Sequence, residues 1–218
     1  MLAWFWLFGA YVLGSIPFGL IIGTRCCGID PRGGGSGNIG ATNVARLCGV
    51  KWGVLVLVCD AVKGIAAVGI ALYCAPGNAA LHSLAALAAI MGHRYSAFMK
   101  FSGGKAVATT IGVFIPLAFF PLAGACVVCI LVIWLSGFVS LGSLALVTAL
   151  PIMIMLHGAW HVLPLALFLW ALVFYTHREN IRRLLAHEEK RWLSPKTAPK
   201  DEKTPEDGQA ASREPAKE

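Results

Sequence analysis

The chain has 218 residues, of which 57% are hydrophobic and only 13% are charged, and its mean hydropathy is +0.71. Soluble domains carry about 25% charged residues, so this composition is typical of a membrane protein. Residues 1–176 hold eight Lys/Arg and two Asp/Glu (net +6), and residues 177–218 hold ten and nine (net +1), which gives the total of +7. The basic surplus lies in the apolar body and favours anionic partners. We therefore expect a lipid bilayer around the chain and no nucleic-acid partner.

Three apolar segments come first in chain order. Leu2 to Thr24 has 23 uncharged residues and is long enough to cross a bilayer core of ~30 Å. It lacks a basic start and a small-residue cleavage pattern, so we interpret it as a retained helix rather than a signal peptide. Trp52 to Cys74 is equally long although it contains two charged residues, and Ala79 to Gly92 is shorter.

Residues 106–176 are the longest uncharged stretch, with no Asp, Glu, Lys or Arg over 71 positions. We predict that they divide into four segments of about fifteen residues, each spanning only ~22 Å as a helix. The predicted breaks are Phe120-Pro121, Ser136 to Ser143, and His157 to His161. Segments this short cross a membrane only with interfacial ends or local thinning of the bilayer.

The polar residues form three clusters, which are Arg25–Lys51, His93–Lys105 and the residues from His177 onward. Two predicted helices separate the first cluster from the second, and four separate the second from the third, so all three lie on one membrane face. The first two hold seven of the eight basic residues before residue 177, which indicates the cytoplasmic face. We predict an all-α integral membrane protein of about seven transmembrane helices, with the N-terminus outside and the C-terminus cytoplasmic.

The composition changes near the end of the chain. Beyond Trp192 it consists largely of Lys, Glu, Pro, Ala and Asp, which provide too little apolar surface for a core. The predicted organisation is therefore a membrane domain over residues 1–193 and a disordered cytoplasmic tail over residues 194–218.

The first cluster contains a glycine-rich loop that ends in an arginine, Gly33 to Arg46. Glycines let backbone N–H groups approach a ligand, and successive N–H groups form a concave anion site. Hydroxyl and amide side chains add neutral hydrogen bonds, and the arginine adds a forked positive charge. The residues that we expect to contact a phosphorylated ligand here are Ser36, Gly37, Asn38, Thr42, Asn43 and Arg46.

The second cluster carries Gly103-Gly104-Lys105 immediately before an apolar helix, with His93 upstream. Backbone amides and a helix start aimed at an anion, with Lys105 as the point charge, are one interpretation. A basic loop with a flexible glycine hinge is the other, and this motif alone does not separate them. It is not a Walker A loop, because the preceding glycine spacing and the following Ser/Thr are absent.

The third cluster and two isolated positions complete the candidates. His177 and Asn180 share a face at i, i+3 if helical, although the cluster also suits a basic interfacial anchor. Ser140 is expected on the same side of the membrane, as a hydroxyl donor or a helix cap. Asp60 and Lys63 can pair at i, i+3 within a span; intramembrane charges indicate function, but this pair can neutralise itself and brace the glycine-rich loop.

Several enzyme classes lack required parts in this sequence. There is no GxSxG, HxxxxD, HExxH or convergent carboxylate pair. The seven cysteines show no ligand spacing with histidine or carboxylate neighbours, so we expect no metal and no cofactor. A phosphate-handling membrane enzyme and an organophosphate transporter both fit the basic midsection. The uncharged 106–176 stretch argues against the transporter, which needs polar groups along a path.

The clusters together resemble the bacterial acylphosphate:glycerol-3-phosphate acyltransferase (PlsY) family, from Gly14 to about Glu189. The matching stretches are Gly14-Ser15-Ile16-Pro17, Gly35 to Val44 with Arg46, Asp60-Ala61-Val62-Lys63-Gly64, Gly92-His93 with Phe98, Phe101 to Lys105, and His177 to Ile181.

The resemblance implies transfer of a fatty acyl group from acyl phosphate to the 1-hydroxyl of sn-glycerol 3-phosphate, in the bacterial inner membrane with the active site facing the cytoplasm. It gives the residues roles. Ser36, Lys105, His177 and Asn180 would be catalytic, and Asp60 and Lys63 supporting. The residues expected around the phosphates are Gly37, Asn38, Thr42, Asn43, Arg46, His93, Gly103, Gly104 and Ser140.

One position departs from the family pattern. Where the family has a glycine after the third motif, this chain has His187. Because that change can alter the backbone just before Glu189, we do not count Glu189 among the expected site residues.

Overall fold

The computed structural model describes residues 2–192, and all regular secondary structure within that range is helical. Three single-turn 3₁₀ helices, Pro31–Gly33, Ala97–Met99 and Trp160–Val162, lie in the connections. The all-α class is confirmed for this part of the chain, and the predicted tail over residues 194–218 lies outside it. The ten α-helices are α1 (Leu2–Ser15), α2 (Phe18–Cys27), α3 (Ala41–Cys48), α4 (Val50–Cys74), α5 (Ala79–Arg94), α6 (Val107–Leu117), α7 (Phe119–Ser136), α8 (Val139–Leu156), α9 (Leu163–Thr176) and α10 (Arg178–Leu185).

Four stretches of this bundle are long and apolar enough to cross a membrane. Three are the single helices α4, α7 and α8, and the fourth is Phe5–Cys27, which joins α1 and α2. Trp160–Thr176 and α10 meet at a bend of 60° and count as a fifth if they are taken together. Helix α6 is also apolar but has only 11 residues, and α5 has 16. Several membrane-spanning helices are therefore present.

The first span is not the continuous helix that the sequence predicted. Helix α1 ends at Ser15 and α2 begins at Phe18, with Ile16 and Pro17 between them. Proline has no N–H to donate and its ring clashes with the preceding turn, so the helix breaks there. The break frees backbone carbonyl groups, and that of Ile16 accepts a hydrogen bond from Lys63 of α4.

The break between α6 and α7 also differs slightly from the prediction. It lies at Ala118, whereas Phe120-Pro121 was expected to separate the segments. Pro121 instead occupies the first turn of α7, where a missing N–H costs no intrahelical hydrogen bond.

Neighbouring helices approach closely where glycines face a backbone. A Cβ built on Gly14 of α1 would lie 2.0 Å from the carbonyl oxygen of Ala89, and one on Gly92 of α5 would lie 2.1 Å from that of Tyr11. Likewise, a Cβ on Gly112 of α6 would lie 2.0 Å from a carbonyl oxygen of α4. Small residues allow such packing between membrane helices, where no hydrophobic force drives association.

The main apolar core lies among α5, α6, α8 and α9 and is built on side chains such as Phe114, Leu150 and Leu169. An alanine-rich layer joins α1, α4 and α5, and a third small cluster joins α2, α3 and α4. These layers fix the ends of α3, α6, α8 and α10 around one cavity at the end of the bundle that carries Lys105.

Candidate active site

The glycine-rich loop between α2 and α3 folds around the buried side chain of Asn43. Its amide nitrogen lies 2.8–3.1 Å from the carbonyl oxygens of Pro31, Gly34 and Asn38. Its amide oxygen accepts a hydrogen bond from the backbone N–H of Ser36 at 2.8 Å. Asn43 therefore ties the two arms of the loop together.

The same loop depends on glycine backbone conformations. Gly35 (φ +62°) and Gly37 (φ +68°) are left-handed, a conformation that glycine adopts without steric cost. The Asn38 side chain accepts a hydrogen bond from the backbone N–H two residues later at 2.8 Å, next to the start of α3. Thr42 and Arg46 follow one helical turn apart on α3, and both line the cavity.

The Gly103-Gly104-Lys105 stretch lies against the end of α5. A Cβ on Gly103 would lie 2.1 Å from the His93 carbonyl oxygen, and one on Gly104 would lie 2.1 Å from His93 Nε2. The backbone N–H of Gly104 donates to the His93 carbonyl at 3.1 Å. Lys105 is half-buried, and its Nζ donates to Asn180 Oδ1 at 2.5 Å.

Glu189 joins the third cluster to α8. The bend at His177, between α9 and α10, brings Asn180 to the cavity, and Asn180 Nδ2 donates to Glu189 Oε1 at 2.7 Å. Ser140 Oγ donates to the same oxygen at 2.8 Å. Arg183 Nε donates to Oε2 at 2.7 Å. One carboxylate thus receives hydrogen bonds from three side chains.

Residues 186–192, here called the C-terminal strap, lie over the mouth of the cavity. Arg46 donates to the carbonyl of Lys190 at 3.0 Å, and the backbone N–H of Trp192 donates to the Gly137 carbonyl at 2.8 Å. The strap therefore connects α3 to the turn between α7 and α8.

The environment of the site shifts the pKa of two of its groups substantially. Burial lowers the pKa of Lys105 to about 8; Glu189 opposes this, and Arg183 and Arg46 add to it. Burial, with Lys105 nearby, lowers the pKa of His177 to about 4, so its imidazole is neutral at pH 7. Burial raises the pKa of Glu189, but its hydrogen bonds outweigh burial and hold the pKa below its usual value.

The tautomer of His177 follows from its neighbour. Its Nδ1 lies 2.9 Å from the carbonyl oxygen of Val173, which can only accept a hydrogen bond. Nδ1 therefore carries the proton, and Nε2 keeps a lone pair. His177 is thus a neutral acceptor in the wall of the cavity.

The cavity has a volume of about 410 Å³. Its polar mouth is surrounded by the three clusters. Its apolar part is lined by side chains within the first three turns from the mouth, namely Val54, Leu57, Val107, Ile111, Cys129, Ile133 and Leu146. The next turns of α6, α7 and α8 place the buried Phe114, Ala125 and Leu150 beneath it, so the apolar part ends on packed core.

The structure brings most of the sequence-predicted residues together in the lining of one cavity. Those that line the cavity are Ser36, Asn38, Thr42, Asn43, Arg46, Asp60, His93, Lys105, Ser140, His177 and Asn180. Gly37, Gly103, Gly104 and Lys63 are not part of its lining, and lie in or behind the loops that shape it.

Sequence reasoning missed Glu189 and Trp192, which also line the cavity. His187 has a left-handed backbone (φ +57°), a conformation that glycine adopts at little steric cost, and Glu189 is held by hydrogen bonds from three side chains. The signal for Glu189 was a carboxylate close to a cluster of bases and amides, but Glu179 and Glu188 in the same stretch gave the same signal. Trp192 gave no signal, because only the folded strap brings it to the site.

A cationic mouth joined to an apolar pocket within a bundle of membrane helices defines a membrane-embedded enzyme that handles a phosphorylated, lipophilic substrate. The model of the family described as Glycerol-3-phosphate acyltransferase matches residues 4–187. This chain belongs to the glycerol-3-phosphate acyltransferase family, and it is an acyltransferase of multi-pass membrane type.

Curated relatives named "Glycerol-3-phosphate acyltransferase" cover most of the chain. The protein of Nitratidesulfovibrio vulgaris is 61% identical over 86% of this chain, and the alignment covers 57% of that longer relative. The protein of Desulfovibrio desulfuricans is 56% identical over 90% of this chain and 87% of its own length. The protein of Lawsonia intracellularis is 51% identical over 86% and 94%.

Two solved structures share the fold. Both are crystal structures of PlsY (YgiH), an integral membrane glycerol 3-phosphate acyltransferase. The glycerol 3-phosphate form is 38% identical, with a TM-score of 0.84 over 88% of this chain and 96% of that chain. The lysophosphatidic acid form is 37% identical, with a TM-score of 0.82 over 88% and 95%.

Proposed function

We propose that this protein transfers a fatty acyl group from acyl phosphate to the 1-hydroxyl of sn-glycerol 3-phosphate, which gives lysophosphatidic acid and phosphate for phospholipid biosynthesis. One observation carries the proposal: a single cavity joins a cationic, amide-rich mouth to an apolar pocket. An acyl phosphate has the same two parts, and glycerol 3-phosphate adds a second phosphate that requires neutralisation.

The mouth would bind the two phosphates. Lys105 supplies a compact charge and Arg46 a forked one, and both line the cavity. Ser36 contributes a hydroxyl from the glycine-rich loop. The residues that we assign to the surroundings of the phosphates are Gly37, Asn38, Thr42, Asn43, Arg46, His93, Gly103, Gly104 and Ser140, with Asp60 and Lys63 in support.

His177 and Asn180 would position glycerol 3-phosphate. The neutral His177 can accept a hydrogen bond from a glycerol hydroxyl at Nε2, because its other ring nitrogen already donates to Val173. The Asn180 amide is fixed between Lys105 and Glu189, so its orientation does not need to change on binding. Such fixed groups reduce the entropic cost of aligning the two substrates.

The proposed reaction is a direct displacement. The 1-hydroxyl oxygen attacks the acyl carbonyl carbon, the bond from that carbon to the phosphate oxygen breaks, and phosphate leaves with the electron pair. The leaving phosphate accepts the hydroxyl proton, so no separate base is required. Lys105 and the loop amides stabilise the charge that develops on the carbonyl and phosphate oxygens.

The apolar pocket would hold the first part of the acyl chain. Leu57, Ile111 and Leu146 line it on three different helices, and the buried core closes it beneath. This closure supports an acyltransferase over an organophosphate transporter, which needs a polar path to the opposite face.

We propose seven membrane spans, with the N-terminus outside and the C-terminus and active site facing the cytoplasm of a bacterial inner membrane. Helices α1 and α2 would form one span, and α4 to α9 one each. The meeting of all three basic clusters in a single cavity supports this arrangement. We assign catalysis to a membrane domain of residues 1–193, since Trp192 still lines the cavity, followed by a tail of residues 194–218.

Purified protein in detergent, supplied with palmitoyl phosphate and glycerol 3-phosphate, tests the function. We expect phosphate and lysophosphatidic acid in equal amounts, measured by colorimetry and mass spectrometry. Palmitoyl-CoA in place of palmitoyl phosphate is the matched control and should give no product. Folded protein that releases no phosphate would overturn the proposal, and turnover with palmitoyl-CoA alone would overturn the choice of donor.

A further inference from the structure

Three buried ionisable side chains meet at the cavity, two of them in its lining and one behind it. Asp60 and Lys63 of α4 are 3% and 2% exposed, and His93 of α5 is 4% exposed. Ionisable side chains in membrane segments are costly to bury and are usually functional. Neither Asp60 nor Lys63 has a direct part in the reaction proposed above, so their burial needs another explanation.

Lys63 is accounted for by two contacts. Its Nζ lies 2.7 Å from Asp60 Oδ1, an ion-pair contact rather than an aligned hydrogen bond. It also donates to the carbonyl of Ile16 at 3.0 Å, within the break between α1 and α2. Lys63 therefore satisfies a carbonyl that the break leaves free, and Asp60 neutralises its charge.

Asp60 has a second contact that neutralisation does not explain. Its Oδ1 lies 3.5 Å from Nδ1 of His93. The other edge of the same imidazole faces Gly104, where an added Cβ would lie 2.1 Å from Nε2 and 2.8 Å from Cε1. The ring is thus a spacer between a charge in α4 and the backbone that carries Lys105.

We propose that Asp60 and His93 are positioning residues for Lys105. The carboxylate orients the imidazole, and the edge of the imidazole sets how closely the Gly104 backbone packs on α5, so that Lys105 Nζ is aimed at the substrate phosphate. This inference rests on the proposed function, because it assigns the pair a part in that reaction. His93 thereby contributes to the phosphate site through Gly104.

A double-mutant cycle tests the contact between the ring and the loop. Gly104→Ala pushes the loop away from His93, and we expect kcat/KM for glycerol 3-phosphate to fall by more than about tenfold. In Gly104→Ala/His93→Ala the new methyl group occupies space that the ring has left. If the two substitutions acted independently, their fold-reductions in kcat/KM would multiply. We expect the measured kcat/KM of the double variant to be about tenfold or more above that value. Effects that multiply within about threefold would overturn the proposal.

Gly103→Ala is the matched control for this cycle. Its added Cβ would meet backbone atoms, the carbonyl oxygens of His93 and Arg94, which His93→Ala leaves in place. We therefore expect Gly103→Ala and His93→Ala to act independently, so that their fold-reductions in kcat/KM multiply in the double variant. Equal coupling in both cycles would indicate general loosening of the loop and would refute a specific role for the ring. An inactive wild type would instead refute the proposed function itself.

A second experiment tests Asp60 without relying on the folding of Gly104→Ala. Asp60→Asn/Lys63→Met removes both charges, and such replacements of buried ion pairs are often neutral for stability. If Asp60 only neutralises Lys63, the kinetics stay unchanged. If it positions His93, kcat falls several-fold, whereas the melting temperature in detergent falls only modestly, because the carbonyl of Ile16 loses its Lys63 donor. Unchanged kinetics would therefore overturn the role of Asp60.

The pH profile gives a readout that a purely structural role would not alter. Lys105 is faced by Arg46 from α3, by His177 from the junction of α9 and α10, by Arg183 from the last turn of α10, and by Glu189 from the strap. In Asp60→Asn/Lys63→Met the loop packs less closely on α5, so Lys105 gains water and its pKa, which burial lowers, should rise. The fall in activity at alkaline pH (the alkaline limb) should therefore move to higher pH. His82→Ala, at the opposite end of α5 and also buried, is the control and should leave kcat and the limb unchanged.

Discussion

At the level of single residues, the site is a chain of hydrogen bonds that links three charged side chains through one amide. Lys105 donates to Asn180, Asn180 donates to Glu189, and Glu189 also accepts from Arg183. Each group is held by a neighbour of complementary chemistry, so the Asn180 amide cannot rotate without losing two hydrogen bonds. The positive charge of Lys105 is thereby presented in a fixed place before substrate binds.

Lys105→Met is expected to lower kcat/KM by about 10²-fold or more, because a fixed donor for developing negative charge is lost. Lys100→Met is the matched control, since Lys100 is exposed on the same connection and does not line the cavity. Steady-state phosphate release measures both variants, and a Lys105→Met enzyme with near-normal kinetics would exclude Lys105 from the site.

The pKa of Lys105 predicts an alkaline limit of activity. Because that pKa is about 8, the ammonium loses its proton as the pH rises through 8, and kcat/KM should fall about tenfold per pH unit above it. Lys105→Arg removes this limb, since arginine stays charged. His177, with a pKa of about 4, adds no limb between pH 5 and 7. A limb that persists in Lys105→Arg would belong to another group.

At the scale of helices, glycines set the distances. The close crossing of α1 and α5 requires that Gly92 carry no side chain, because the nearest atom is the backbone carbonyl of Tyr11. Since His93 follows Gly92 in the last turn of α5, this crossing also fixes the surface on which Gly103-Gly104-Lys105 rests.

Gly92→Ala should destabilise the fold by about 1–3 kcal/mol, because backbone must move to admit the methyl group. Gly69→Ala in α4 is the control: an added Cβ there meets nothing within 4 Å, so improved helix propensity should add about 0.5–1 kcal/mol. Thermal unfolding in detergent compares them, at about 2–4 °C per kcal/mol for a chain of this length. Equal midpoints for the two variants would contradict the crossing.

At the scale of the whole molecule, three clusters far apart in sequence form one site. Arg46 and Lys190 are 144 residues apart and share a hydrogen bond, and Lys105 and Asn180 are 75 apart. Such contacts require that the chain cross the membrane an even number of times between one cluster and the next. The proposed topology therefore predicts from which side of the membrane each connection between helices can be labelled.

Pro76→Cys and Lys100→Cys, each in a variant without the native cysteines, test the topology. Both positions are exposed and lie at the two ends of α5. A membrane-impermeant maleimide should label Pro76→Cys in right-side-out spheroplasts and Lys100→Cys in inverted vesicles. The reverse pattern would invert the proposed orientation, and labelling of both from one side would refute the span through α5.

The helical class, the apolar segments and most of the side chains that meet in the cavity could be predicted from the sequence, because composition and the chemistry of glycine, amides and basic residues are local properties. It located the breaks only approximately: Pro17 interrupts the first span and Pro121 begins a helix, since the effect of a proline depends on its place in the turn. Glu189 needed the left-handed strap at His187.

What each charged side chain faces depends on the packing of the helices and could not be predicted from the sequence. Lys63 reaches a carbonyl at the helix break rather than the glycine-rich loop that the sequence suggested, and His93 lies between Asp60 and Gly104. These relations depend on how closely α1, α4 and α5 pack, and that distance follows from glycine contacts between helices remote in sequence. Residue types predict which chemistry is available, whereas packing determines which groups touch the substrate and which support those that do.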